Sequence, residues 1–97
     1  MEPSKKQILQ ALGKLVRQHR TMLGLSQEEL GFRANLDRTY ISGVERGIRN
    51  PSLTALVSLA NGLGITVSEL LDGLEGMIAK PNEQNQNSPK SQSPQSF

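Results

Sequence analysis

The sequence predicts an all-α fold of five helices followed by a disordered tail. Apolar residues recur at the three- and four-residue spacing of amphipathic helices. Capping-box sequences open three of these stretches. No run of alternating β-branched residues suggests a sheet. With 97 residues, the chain is long enough for one small domain and hardly for two.

The first two predicted helices have clear ends. The first runs from Lys5 to Leu23, opened by a capping box that begins at Ser4 and ended by Gly24. The second runs over Gln27–Ala34, and a second capping box begins at Ser26.

The remaining three helices follow after short connections. Asp37 is the predicted N-cap of the third helix, which spans Arg38–Arg46 and stops at Gly47. The fourth begins after Asn50-Pro51-Ser52 and ends at Leu63. The fifth starts with the capping box at Thr66 and continues to Ile78.

Composition separates the domain, residues 1–79, from the tail, residues 80–97. Of the 18 tail residues, 14 are Gln, Asn, Ser or Pro, which cannot bury enough apolar surface to order a chain. Charge divides the domain further. Residues 1–50 hold nine Lys and Arg against five acids, whereas residues 51–79 hold three acids and no base. A basic half of this kind favours a polyanion as partner.

The composition excludes several classes of protein. The chain has no cysteine and only one histidine, so disulfides and thiolate or His-rich metal sites are excluded. It offers no Ser/His/Asp set or phosphate loop, so we expect neither enzymatic activity nor a cofactor. No apolar run approaches a membrane span of about 18 residues, and the N-terminus does not resemble a signal peptide. We therefore expect a soluble, cytoplasmic protein.

The third helix and the turn before it indicate a function. Only residues 35–37 join the second helix to the third, so the two must cross steeply. Gly31 and Ala34 are small where we expect that contact, and Asn35 readily adopts a left-handed conformation. Ile41 and Val44 give the third helix a narrow apolar side. The opposite side is free to enter a DNA major groove, which is the geometry of a helix-turn-helix.

Three segments of the chain carry a family resemblance: residues 23–30, 35–47 and 50–53. They resemble the Cro/C1-type, or XRE, helix-turn-helix transcriptional regulators, and the likeness extends from about Leu12 to Leu71. Residues 37–47 are most similar to the controller proteins of restriction–modification systems. The resemblance implies a five-helix, lambda-repressor-like DNA-binding domain.

The resemblance also implies DNA-contacting residues. The positions that match base-facing residues of the family are Arg38, Thr39 and Ser42. Arg38 suits a bidentate contact with guanine, while Thr39 suits a thymine methyl or a phosphate. The positions expected at the DNA backbone are Gln27, Tyr40, Arg46, Arg49 and Asn50. Tyr40 equally suits stacking on a thymine or ordinary packing.

Two further sites are structural. The resemblance implies an ion pair between Arg20 and Glu45. It also favours a homodimer, because one recognition helix reads only a few base pairs. The expected dimer interface consists of Val67, Leu70, Leu71 and Leu74. These residues could instead complete the core of a single chain.

The sequence therefore predicts a homodimeric, sequence-specific regulator, a repressor or repressor–activator, that binds a pseudo-palindromic operator in double-stranded DNA on the nucleoid. The alternative is a protein-interaction module, such as an antitoxin, on the same fold. Neither alternative needs a metal, a cofactor or a membrane.

Overall fold

The computed structural model describes residues 3–78, which form six helices and no strand. The helices are α1 (Lys5–Met22), α2 (Gln27–Ala34), α3 (Arg38–Glu45), α4 (Leu53–Leu63), α5 (Val67–Leu70) and α6 (Leu74–Met77). The predicted all-α fold class is confirmed. The predicted tail, residues 80–97, and its boundary at residue 79 lie outside the described residues.

The three predicted capping boxes are present. At α1, α2 and α5 a Ser or Thr side chain accepts a hydrogen bond from the backbone N–H three residues later. The side chain of that third residue accepts in return from the cap's own N–H. Each box satisfies two backbone donors that the helix itself leaves free. The sequence therefore encodes these helix starts locally.

The predicted fifth helix is present but interrupted, and its two parts are α5 and α6. Leu71 ends α5, and Gly73 has φ 84°, in the left-handed region. A residue in that conformation cannot continue a right-handed helix. The chain therefore makes two single turns, and α6 packs back against α1.

The core lies around α2, which packs against α4 on one side and α3 on the other, while α1 covers α3. Six large side chains are fully buried and belong to one cluster. They come from five of the six helices and are Val16, Leu30, Ile41, Val44, Leu59 and Leu70.

Small residues let α2 approach its neighbours. A Cβ atom on Gly31 would lie 2.6 Å from the carbonyl oxygen of Leu36, so the turn folds directly onto the helix. Asn35 makes this turn with φ 58°, as predicted. Ala34 also lies against Gly62 of α4, where a Cβ atom on Gly62 would be 3.1 Å from Cβ of Ala34. The close approach of this turn to α2 therefore depends on Gly31.

A second close approach fixes α1 against the end of α3. A Cβ atom on Gly13 would lie 2.4 Å from the carbonyl oxygen of Glu45 and 2.6 Å from that of Val44. Both obstacles are backbone atoms, which cannot rotate away as a side chain can. Glycine at position 13 therefore sets the distance between these helices.

Among residues 3–78, no single helix is long and apolar enough to cross a membrane. Only α4 taken together with Val67–Met77 has sufficient length and apolar character, and these two segments are bent by 87°.

We expect Gly13→Ala to lower the free energy of unfolding by about 2 kcal/mol or more, because overpacking against backbone outweighs the gain in helix propensity. Chemical denaturation monitored by circular dichroism measures this change. Gly76→Ala is the matched control, since a Cβ there meets no atom within 4 Å. Equal stability of the two variants would contradict the proposed close approach.

Candidate nucleic-acid interface

Helix α3 has a buried face and an exposed face. The side chains of Ile41 and Val44 are completely buried in the core. Arg38 and Thr39 are exposed at the first turn, and Ser42 is half-buried. Because the buried pair fixes the rotation of the helix, its N-terminal half presents polar groups to solvent in a defined orientation.

The start of α3 is held by Asp37. Its Oδ1 accepts a 2.8 Å hydrogen bond from the backbone N–H of Thr39 and a 2.7 Å hydrogen bond from the Thr39 hydroxyl. These bonds, the hydroxyl bond most strongly, lower the pKa of the Asp37 carboxyl. Asp37 is therefore a carboxylate at neutral pH and acts only as an acceptor.

Arg49 lies across α3 at Gly43. A Cβ atom on Gly43 would be 3.3 Å from Cβ of Arg49 and 3.5 Å from its Nε. The Arg49 guanidinium carbon lies 4.8 Å from the centroid of the half-buried Tyr40 ring, which is within the range of a cation–π contact. Gly43 therefore leaves room for Arg49, and the absent side chain does not expose the helix backbone.

Other residues predicted to contact the DNA backbone follow α3 in the chain. Arg46 and Asn50 are exposed, and Nε of Arg46 donates a 3.4 Å hydrogen bond to the carbonyl oxygen of Ser42. Together with Arg49, they give the segment that directly follows α3 in the chain two guanidinium groups and one amide.

A network of polar side chains joins α1, α2 and α3. Arg20 of α1 and Glu45 of α3 form a two-pronged ion pair, with Nε to Oε2 at 2.5 Å and Nη2 to Oε1 at 2.9 Å. Arg20 also donates to the carbonyl oxygen of Leu25 at 2.8 Å. Only 12% of the Arg20 side chain and 4% of the Glu45 side chain are exposed. The hydrogen bond from Arg20 to Glu45 is the main cause of the raised Arg20 pKa.

Gln27 belongs to this same network. Its Nε2 donates a 3.0 Å hydrogen bond to Oε1 of Glu45. A side-chain amide nitrogen carries two protons, so one remains available for a ligand at the N-terminus of α2. The resemblance implies separate roles for Gln27 and Glu45, whereas the hydrogen bond between them is visible only in the structure.

The predicted dimer interface divides into two groups. Val67, Leu71 and Leu74 are partly buried and retain exposed surface. Leu70 is completely buried within the core of the single chain, so its side chain cannot contact a second copy. The prediction for Leu70 is therefore corrected. One face of a short helix points inward, and only the other is free. On the neighbouring α4, Leu53 is 70% exposed and Val57 is 45% exposed, and neither belongs to the interface predicted from the sequence.

Asp37 was identified from the sequence only as a helix cap, and its second bond to Thr39 was missed. The spacing Asp-x-Thr at a helix start could have indicated this bond, because it brings the two side chains close together at the first turn. Within the part of the chain that the structure describes, no cluster of three or more His, Cys, Asp or Glu could hold a metal ion.

Comparison with known proteins identifies relatives of this chain. Residues 16–70 match the family described as "Helix-turn-helix". The control protein C.MunI of a Mycoplasma species is 45% identical over 62 residues, which is 64% of this chain and 84% of the relative.

Two solved structures of restriction–modification controller proteins are similar in fold. C.AhdI from Aeromonas hydrophila is 50% identical with a TM-score of 0.63, over 64% of this chain and 94% of that protein. The C.Esp1396I tetramer, solved in complex with its natural 35-base-pair operator, is 34% identical with a TM-score of 0.68, over 75% of this chain and 96% of that protein.

We expect Glu45→Gln to lower the free energy of unfolding by about 3–5 kcal/mol, because it leaves the Arg20 charge buried without a counter-charge. Urea denaturation at neutral pH measures this loss. Glu28→Gln makes the same chemical change at an exposed position of α2 and should stay within about 0.5 kcal/mol of the unaltered protein. If the two variants were equally stable, the ion pair would have no structural role.

Proposed function

The chain belongs to the XRE-type helix-turn-helix family, and from this we propose that it is a transcriptional regulator that binds a pseudo-palindromic operator in double-stranded DNA as a homodimer. The exposed N-terminal half of α3 is the observation that carries the proposal. Arg38 and Thr39 project from a helix that Ile41 and Val44 anchor in the core. A helix held in this way can enter a major groove without loss of its packing.

Specific contacts are assigned to the first turns of α3. We assign base contacts to Arg38, Thr39 and Ser42, with Arg38 suited to O6 and N7 of a guanine. The guanidinium group of Arg38 makes no hydrogen bond or ion pair with another group of residues 3–78. Its five donors are therefore free to bind a base.

Contacts to the DNA backbone are assigned to both ends of the motif. Gln27 lies at the N-terminus of α2, where free backbone N–H groups favour an anion. The other groups assigned to phosphate follow or flank α3 and are Tyr40, Arg46, Arg49 and Asn50. Positive groups of this kind supply binding that weakens as salt rises.

A homodimer would place two such helices on one face of DNA. We assign its interface to Val67, Leu71 and Leu74, with Leu53 and Val57 of α4 as exposed apolar neighbours. Two recognition helices related by a dyad read half-sites about 10 base pairs apart. This arrangement explains why a domain of fewer than 80 residues could reach useful specificity.

The relatives suggest the biological setting. C.MunI, C.AhdI and C.Esp1396I are control or controller proteins. We therefore propose that this protein also controls restriction–modification genes, and that it acts in the cytoplasm. By analogy with the operator-bound C.Esp1396I structure, it would act directly on the operator as a repressor or repressor–activator. Its proposed activity is binding, with no catalytic step.

Selection of bound sequences from a random 30-base-pair duplex library at fixed salt, about 0.15 M, tests the proposal with the full chain. We expect a two-fold-symmetric motif. Arg38→Ala should weaken binding to the selected duplex by about 1–3 kcal/mol and relax the preference at one position of each half-site. Arg33→Ala removes an equivalent exposed charge from α2 and should leave the motif intact. No enriched sequence from a folded protein would favour the protein-interaction alternative.

Val67→Glu tests the dimer interface. Val67 is the first residue of α5, where a carboxylate suits the helix dipole, but its side chain also packs partly against the core. Circular dichroism and thermal unfolding of the variant therefore come first and must show a folded chain. In a two-fold interface the variant buries two unpaired carboxylates, and we expect the dimer dissociation constant to rise by roughly a hundredfold or more. Analytical ultracentrifugation measures this constant. Ser68→Glu adds the same charge at an exposed neighbour. If both variants dimerise alike, the interface lies elsewhere.

A further inference from the structure

The hydroxyl group of Thr39 is already occupied before any ligand binds. Its single proton is donated to Oδ1 of Asp37 at 2.7 Å, beside the 2.8 Å bond from the Thr39 backbone N–H to the same oxygen. Capping of α3 requires only the backbone bond. The additional side-chain bond is not needed for the cap, and its effect is on the conformation of the Thr39 side chain.

That bond selects one rotamer of Thr39. A threonine in a helix ordinarily divides its population between two χ1 rotamers. With Oγ1 directed at Asp37, the γ-methyl group must take a different staggered position on an exposed side chain. Thr39 consequently offers a methyl group in a fixed direction, with hydrogen-bond acceptors but no free donor.

The absence of a free donor restricts the groups that Thr39 can recognise. A phosphate oxygen accepts hydrogen bonds, and the neighbouring Asp37 carboxylate repels it. The major-groove edge of guanine presents only the acceptors N7 and O6, which are equally unsuitable. Two kinds of group remain: the amino groups of adenine and cytosine, which could donate to Oγ1, and the methyl group of thymine. Only the thymine methyl makes use of the γ-methyl group whose direction the Asp37 bond fixes.

We propose that Thr39 reads the 5-methyl group of a thymine, and that Asp37 is the residue that positions Thr39 for this contact. The inference rests on the proposed operator binding and deepens it by naming the group that is read. It also resolves the choice between thymine and phosphate that the sequence left open.

Replacement of single thymines by deoxyuridine tests the contact, because it removes only the 5-methyl group. The probe is the duplex recovered by selection, and binding of the full chain is measured by fluorescence anisotropy. We expect one thymine in each half-site whose replacement weakens binding about fourfold, as expected for one buried methyl group. Equal binding of all thymine and deoxyuridine duplexes would overturn the proposal.

Two substitutions separate the methyl group of Thr39 from its hydroxyl. Thr39→Ser keeps the hydroxyl and loses the methyl, so the thymine-to-deoxyuridine ratio should fall to about one. Thr39→Val keeps a methyl group and loses the hydroxyl, so the ratio should stay clearly above that of Thr39→Ser. A ratio that survives in Thr39→Ser would show that another residue reads the methyl group.

Asp37 is tested with substitutions that preserve the start of the helix. Asp37→Gly removes the acceptor at small cost to capping, while Asp37→Asn retains an oxygen that can accept both bonds. In the free protein, three-bond NMR couplings to Cγ2 of Thr39 should report one rotamer in the unaltered protein and in Asp37→Asn. They should report an average in Asp37→Gly, whose thymine-to-deoxyuridine ratio should also decrease. A single rotamer and an unchanged ratio in Asp37→Gly would overturn the positioning role.

Failure of the thymine contact and failure of the proposed function give different results. If selection yields no enriched sequence, DNA recognition itself fails and the contact fails with it. If a motif is recovered but deoxyuridine has no effect, only the assignment of Thr39 is wrong.

Discussion

The ion pair between Arg20 and Glu45 is the interaction on which the arrangement of the motif depends. Glu45 ends α3, and its two oxygens accept from Arg20 of α1 and from Gln27 of α2. One carboxylate therefore fixes three helices relative to one another. The backbone approach at Gly13 brings α1 close enough for this to occur. Because the pair is almost fully buried, loss of either partner would leave an uncompensated charge in the domain.

Because of this constraint, the two ends of α3 have different roles. The C-terminal end is fixed by Glu45, while Arg49 lies across the helix at Gly43, with its guanidinium group over Tyr40. The N-terminal turn has no such cover, and its exposed polar side chains are ordered locally by Asp37. Rigid support at one end and exposure at the other are what precise recognition requires, because side chains that are already ordered lose less entropy on binding.

The sequence predicted most of the fold, because the information was local. Helix starts follow from a hydroxyl and a carboxylate or amide three residues apart, and Asn35 marks the left-handed turn. Contacts between residues far apart in the sequence could not be predicted. The contact of Ala34 with Gly62 and the position of Arg49 over Gly43 depend on how separate segments pack. The break at Gly73 was missed because the apolar pattern continues across it.

The sequence by itself determined the helices, their caps, the basic half of the chain and the family resemblance that identifies the candidate DNA-contacting residues. Only the tertiary structure decided which of those side chains are free. It assigned Leu70 to the core, engaged Gln27 with Glu45 and placed Arg49 over Tyr40. The physical reason is that a residue type specifies which hydrogen bonds a group can make, whereas the fold determines which of them are already made.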